Sequence, residues 1–536
     1  MQLDPRFQER IAIIVTVIVG ILGAIILGKM TAQGQTGTIA LLTLGAVGVA
    51  SLIHFRERVW VLIPVCWPFY GSVSLLPVPL AVKDLGVAIA FGAIVICITL
   101  KIVRFKPRFT YLDALFYLNV VWLFSAFIRN PVGFYLSDSE RVGGRPYVSA
   151  VFGFLAYWVL CRLKTETARM RRVPMYALGA IIVLVCLNVL IVFVPSLADY
   201  AAQIYNGFDF YYIDGTMMDN GTGAGGGRVA LESDTARVEM FRDIGKYSAI
   251  FLCAYFYPPT LLNPVKWRRS IAFFATGLGL LLSGFRSFLV YAGGMFLLGS
   301  FFRKGWVSVI RSAASSIVML FIVMLGHGTL YELPFAAQRA LAVVPKSMRP
   351  VELSERAVAD GESSTDWRVE MWILALTTDR YISDKLMGDG FGMDKQQQTA
   401  YQKAAVRGVS YEEAQEHMAI AGEFHSGPVS TVRVVGYIGL VFIYLLLLAM
   451  AYHAAKLIRR SKETPMFAPV LFFCMPIVFE PFWFTFVFGA YGMALPFLGF
   501  SLGMMKVIEN SLNDLAATSH RMGNHFPAAR ELGIGA

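Results

Sequence analysis

Val432-Arg-Val-Val-Gly-Tyr-Ile-Gly-Leu-Val-Phe-Ile-Tyr-Leu-Leu-Leu-Leu-Ala-Met-Ala-Tyr-His-Ala-Ala-Lys-Leu457 is the stretch that decides the fold. It exceeds the roughly 20 mainly apolar residues that carry a helix across the hydrocarbon layer. Basic residues follow it at once: Arg459, Arg460 and Lys462. The whole chain has the same character. Of its 536 residues 56% are hydrophobic and 15% charged, where a soluble domain carries about 25% charged residues. The mean hydropathy is +0.59. Such a surplus of apolar residues belongs in lipid. The net charge of +11 is then a matter of cytoplasmic loops. No basic tract is interleaved with aromatics, so nucleic-acid binding is not expected.

Further spans of this kind are expected at residues 11–28, 38–54, 59–76, 85–100, 111–128, 148–160 and 173–197. Then come 247–262, 271–283, 287–302 and 307–330, and finally 432–457, 466–480 and 483–505. The fold class is an all-α polytopic membrane protein with about 12–14 transmembrane helices. The charged start leads into 11–28 without a small-residue cleavage site, so that run reads as a retained first helix. Every second junction is rich in Lys and Arg, for instance Lys101, Arg104, Lys106 and Arg108, and again Arg162, Lys164, Arg169, Arg171 and Arg172. The positive-inside rule puts these in the cytoplasm, together with both termini. The expected organisation is N-terminal spans in 1–197, a long exported loop at 198–246 and central spans in 247–330. A large exported loop at 331–431, C-terminal spans in 432–506 and a cytoplasmic tail at 507–536 complete it.

Several chemistries are disfavoured on this frame. The glycine-rich run at 221–227 lacks the Lys-Ser/Thr of a nucleotide phosphate loop and would face a side without ATP; it reads as a flexible segment. The six cysteines all lie in or beside apolar runs and form no disulfide framework. The exported histidines His327, His417 and His425 have no metal-ligand spacing, and no metal is expected. Asp138 and Glu140 could hold a hard cation, but a solvated acidic loop is the simpler reading.

Three exported clusters carry chemistry. The first runs Arg237-Val-Glu-Met-Phe-Arg242-Asp-Ile-Gly245-Lys246 into a helix. The second, Ser283-Gly-Phe-Arg286-Ser287, sits between two apolar runs. The third lies in the large loop: Asp366-Trp367-Arg368-Val-Glu-Met-Trp372, then Gly388-Asp-Gly390-Phe-Gly392, Glu423-Phe-His425-Ser426-Gly427 and Arg433-Val-Val-Gly436-Tyr-Ile-Gly439. Guanidinium groups grip phosphate oxygens bidentately. A histidine titrates near neutrality and can take a proton. Arginines with one histidine at the outer interface suit a lipid-diphosphate ligand and a transfer reaction. Snorkelling arginines and a structural histidine would produce the same residues.

Taken in order, these clusters resemble the O-antigen ligase and O-antigen polymerase superfamily, over about the last 300 residues. The features are arginine and glycine ahead of a helix (Arg242, Gly245) and a Ser-Arg pair between helices (loosely, Ser283 to Ser287). Next comes Arg-x-x-x-Trp with Gly-x-Gly (Arg368, Trp372, Gly388, Gly390), followed by a His-Asn pair (here His425-Ser426) and Gly-x-x-Gly (Gly436, Gly439). Serine stands at 426 where the family has asparagine. The resemblance implies a GT-C-like fold with a large helical periplasmic loop, in a bacterial inner (cytoplasmic) membrane. It implies a glycan donor linked to undecaprenyl diphosphate and no cofactor. The acceptor would be lipid A–core, another glycan or a protein, in lipopolysaccharide or other surface polysaccharide assembly. His425 would be catalytic. Arg242, Arg286 and Arg368 would hold the diphosphate, with Arg237 as an alternative to Arg242 and Lys83 as an added contact. A polysaccharide polymerase of the same superfamily is one alternative. A lipid or polysaccharide transporter is another, though the polar residues gather at one face and not at the midplane.

Overall fold

The computed structural model describes residues 56–69, 71–73, 80–99, 101, 109–132, 143–162, 167–205, 240–342, 344, 346–349, 351–393, 416 and 418–525. The spans expected at 11–28 and 38–54, the run 221–227, and Arg237, Asp138, Glu140 and His417 lie outside the described residues. The chain divides into two compact units, residues 1–59 with 92–104, and residues 60–91 with 105–536. The described part of the first is the start of a 3-10 turn and the second half of one helix.

The long helices are α1 (Val82–Thr99), α2 (Tyr111–Arg129), α3 (Arg145–Leu160), α4 (Val173–Phe193), α5 (Met240–Tyr255), α6 (Trp267–Leu282), α7 (Arg286–Lys304) and α8 (Trp306–Gly326). They continue with α9 (Phe335–Leu341), α10 (Glu355–Thr377), α11 (Gly427–Ser461), α12 (Phe467–Phe482) and α13 (Tyr491–His525). Among the described residues seven helical segments are long and apolar enough to cross a membrane: α1, α2, α4, α8, α11, α12 with its extension, and α13. Lipid offers no partner for backbone N–H and C=O groups, so helices, which satisfy them internally, are the solution such sequences find. The chain is thus an all-α multi-pass membrane protein. Where described, the 331–431 segment carries the helices α9 and α10.

Some expected spans change shape. Residues 59–76 are not one helix: a 3-10 turn (Arg56–Val61) and a short helix (Leu62–Cys66) end before Pro68, and a two-stranded hairpin pairs Ser72–Val73 with Leu80–Ala81. Pro64 and Pro68 each remove a helical N–H donor, which limits the helix. The span expected at 483–505 is in two pieces. Trp483–Val487 is a π turn continuing α12, Phe488 is extended, and α13 begins at Tyr491. α13 then runs to His525, well into the stretch expected as a tail.

α13 is the central helix. In its most apolar window 83% of residues are buried, against 17% for α8, which faces outward. It packs most extensively on α3. Small residues allow this: a Cβ on Gly499 would lie 2.5 Å from the carbonyl oxygen of Gly153. Close backbone approach through such residues is how helices associate where burial from water supplies no force. At one end of the bundle Lys506 Nζ lies 2.8 Å from Asp113 Oδ2 and 2.8 Å from Thr110 Oγ1, while the Tyr157 hydroxyl donates to Asp113 Oδ1 at 3.0 Å. This buried network ties α2, α3 and α13 together. The candidate site lies at the opposite end.

Candidate functional site

The site is built on a broken helix. α11 opens with Gly427-Pro428, proline being suited to a first helical turn where its missing N–H is not needed. Nine residues on, Gly436 adopts φ +71° and interrupts the helix. The loop from Asp384 to Gly390 docks onto the break. Asp389 N donates to Arg433 O at 2.8 Å and Gly390 N to Val434 O at 3.0 Å, while Tyr437 N donates to Lys385 O at 2.8 Å. The two backbones are so close that a Cβ on Gly436 would sit 2.1 Å from the Leu386 carbonyl oxygen, and one on Gly388 2.4 Å from Val435 N. The Gly-x-Gly and Gly-x-x-Gly motifs, separate in sequence, are two sides of one joint.

Arg433 locks that joint. It is 5% exposed. One guanidinium nitrogen pairs with Asp389 Oδ2 at 3.2 Å, and the other donates to Gly392 O at 2.8 Å. Asp389 in turn accepts from Ser383 N at 2.7 Å and Asp384 N at 2.9 Å. From the bundle, Arg129 Nη2 donates to Met387 O at 2.8 Å and Asn130 Nδ2 to Asp389 O at 3.1 Å. A buried charge needs a partner and satisfied hydrogen bonds, and here it has both.

His425 stands at the rim of a pocket lined also by Gly390, Gly392, Glu423, Arg433 and Phe488. Its backbone is left-handed, with φ +52°. In a residue other than glycine this costs about 1–3 kcal/mol and persists only where the surroundings enforce it. They do so here: Trp372 Nε1 donates to the Phe424 carbonyl at 2.8 Å, and Phe424 is buried in a cluster with Ala375, Tyr381, Ile382 and Val432. The imidazole Nδ1 lies 3.1 Å from Glu423 O. A carbonyl oxygen only accepts, so Nδ1 carries the proton and in the neutral ring Nε2 keeps its lone pair. Trp367 and Phe488 flank the ring edge-on, with centroids 6.3 and 5.5 Å away. A backbone carbonyl and two aromatic rings thus help to orient the histidine, and the adjacent Ser426 is buried.

The expected arginines fall in two groups. Arg368 is on α10, next to Trp367 and one turn before Trp372, so the Arg-x-x-x-Trp motif belongs to the wall that holds His425. Arg242 and Arg286 are together elsewhere. Arg286 begins α7, after Gly284 at φ +68°. Arg242, on the first turn of α5, lies over the ring of Phe285 at 5.7 Å and 3.3 Å from Asp243 Oδ2. The segment Trp483–Phe488 joins the groups: Trp483 packs on Phe288 and Tyr291 of α7, while Phe488 flanks His425 and donates its N–H to Trp483 O. Lys83 stands apart near the start of α1. Among the described residues no hydrogen bond, ion pair or ring contact joins it to Arg242, Arg286 or His425.

Sequence reading missed Arg433 as a site residue and the role of 483–488. An arginine inside an otherwise apolar helix start, with an aspartate between two glycines upstream, was the available signal for the first. Among the described residues no group of three or more His, Cys, Asp or Glu is placed to hold a metal ion. Chemically, the arrangement offers an oriented imidazole beside a mostly apolar pocket that Glu423 and Arg433 also line, and guanidinium groups that the 483–488 segment links to it through ring contacts. Comparison with known proteins finds no match: no family model and no curated protein matches the chain.

Proposed function

We propose that this protein is a membrane glycosyltransferase that moves a glycan from undecaprenyl diphosphate to an acceptor at the outer face of a bacterial cytoplasmic membrane, in surface polysaccharide assembly. The observation that supports it most is His425: a left-handed residue, held by Trp372 through the preceding carbonyl, with Nδ1 engaged by Glu423 O. Strain of this kind is kept where it serves a site. In the proposed reaction the acceptor hydroxyl oxygen attacks the anomeric carbon and its proton passes to His425 Nε2. The bond from that carbon to the phosphate oxygen breaks. The carrier leaves as its diphosphate, whose added charge Arg242 and Arg286 neutralise. Arg368 supports the histidine wall. A ligase and a polymerase would share these residues and differ in the acceptor.

The test is glycan transfer in a deletion strain complemented with His425→Ala or His417→Ala, with membrane levels followed by immunoblot. Loss of a general base lowers the rate roughly 10²–10⁴-fold. Normal transfer by His425→Ala at a normal protein level would remove the base assignment.

A further inference from the structure

Lys246 lies one turn beyond Arg242 on α5. Residues four apart share a helix face, about 6 Å apart along the axis. The Lys246 ammonium is surrounded by rings, 5.2 Å from the centroid of Tyr291, 5.5 Å from Tyr247 and 5.8 Å from Phe288. Such contacts are favourable for a cation, but rings satisfy none of its three N–H donors as an oxygen would. Among the described residues no hydrogen bond or direct ion pair reaches it; Glu480 of α12 acts on it only through space. Lys246 also lines a largely aromatic cleft with Trp67, Phe473, Phe497 and Phe500, so its charge stands in that cleft, one helical turn from Arg242.

We propose that Lys246 is a further donor-binding residue, contacting the diphosphate where an isoprenoid chain leaves it and enters that cleft. This rests on the proposed function above. Arg242 and Arg286 grip the outer phosphate oxygens, and Lys246 meets the oxygen nearest the chain. The cleft walls are aromatic and apolar, which suits unsaturated isoprene units and not a soluble anion alone.

Binding of farnesyl diphosphate and of inorganic diphosphate to the full-length protein in phosphatidylcholine nanodiscs tests this. Lys246→Met should weaken both ligands about tenfold or more, as loss of a charge-assisted hydrogen bond does, and Lys246→Arg should restore most of it. Phe500→Ala should weaken farnesyl diphosphate and leave inorganic diphosphate unchanged. In the wild-type protein, bound farnesyl diphosphate should slow reductive methylation of Lys246, read by mass spectrometry. Unchanged affinity in Lys246→Met, or an unchanged methylation rate, overturns the inference. If Arg286→Ala still weakens binding in that case, the proposed function stands without it. Failure of the wild-type protein to bind either ligand overturns both.

Discussion

Replacing Arg433 by methionine keeps most of the side-chain volume and removes the charge that locks the loop at 384–390 to α11. The variant loses the 3.2 Å ion pair to Asp389 and the 2.8 Å bond to Gly392 O. Removing one partner of a buried pair costs about 3–5 kcal/mol when the other is left uncompensated. Asp389 is not fully stranded: its side chain is 15% exposed and it keeps two backbone N–H bonds. The expected cost is therefore lower, about 2–3 kcal/mol, close to that of an unsatisfied buried charged group. At 1.36 kcal/mol per tenfold, that is roughly a 30- to 160-fold rise in the opening equilibrium of the joint. Hydrogen exchange with mass spectrometry reads it directly, since the amides of Asp389 and Gly390 donate to Arg433 O and Val434 O across the joint. Exchange at these amides should accelerate by that factor, while amides of α13 stay protected. The double variant with Asp389→Asn should show less than the sum of the single effects, because the two residues share one interaction. Unchanged exchange at 389 and 390 in a folded Arg433→Met protein would refute the reasoning that the ion pair holds the joint.

Gly436→Ala should undo the same joint by sterics alone: the backbone at φ +71°, ψ −177° is essentially reserved for glycine and costs roughly 1–3 kcal/mol in a residue with a Cβ, and the new methyl would sit 2.1 Å from Leu386 O. Limited proteolysis between 384 and 393 should increase, and transfer should fall with it. Arg286→Lys should impair transfer nearly as much as Arg286→Ala, since lysine keeps the charge but lacks the planar two-pronged fit to phosphate; full activity in the lysine variant would mean that charge alone matters there. A cysteine placed at the exposed Glu370 in a cysteine-free background should react with a membrane-impermeant reagent in intact spheroplasts, and reaction only after permeabilisation would put α10 on the cytoplasmic side.

Much of the architecture was legible in the sequence because lipid imposes a simple rule. A long apolar run must be a helix, whatever its neighbours do, so residues such as 432–457 announce themselves one at a time. The same rule is silent on breaks within a run. Residues 483–505 read as one span, yet the π turn at Trp483–Val487 and the extended Phe488 separate α12 from α13, because Phe488 packs against His425 and Trp483 against α7. The residue types of the candidate site are also legible in the sequence: His425, Arg242, Arg286 and Arg368 carry the imidazole and guanidinium groups that such chemistry uses.

Which of these residues meet was a matter of tertiary structure. Gly388 and Gly436 are far apart in the chain, and nothing local in either motif says that one backbone docks on the other. In the sequence Arg433 is one residue of a helix start, and only the fold places Asp389 beside it. The orientation of His425 depends on the carbonyl of Glu423 and on rings from α10 and from 483–488, elements that only folding brings together. The sequence by itself determined that the chain is a bundle of membrane helices, through hydrophobicity, a local property summed along the chain. The tertiary structure alone decided which polar groups share an end and which way they face, because burying a charge or a strained turn is tolerated only where distant partners converge on it.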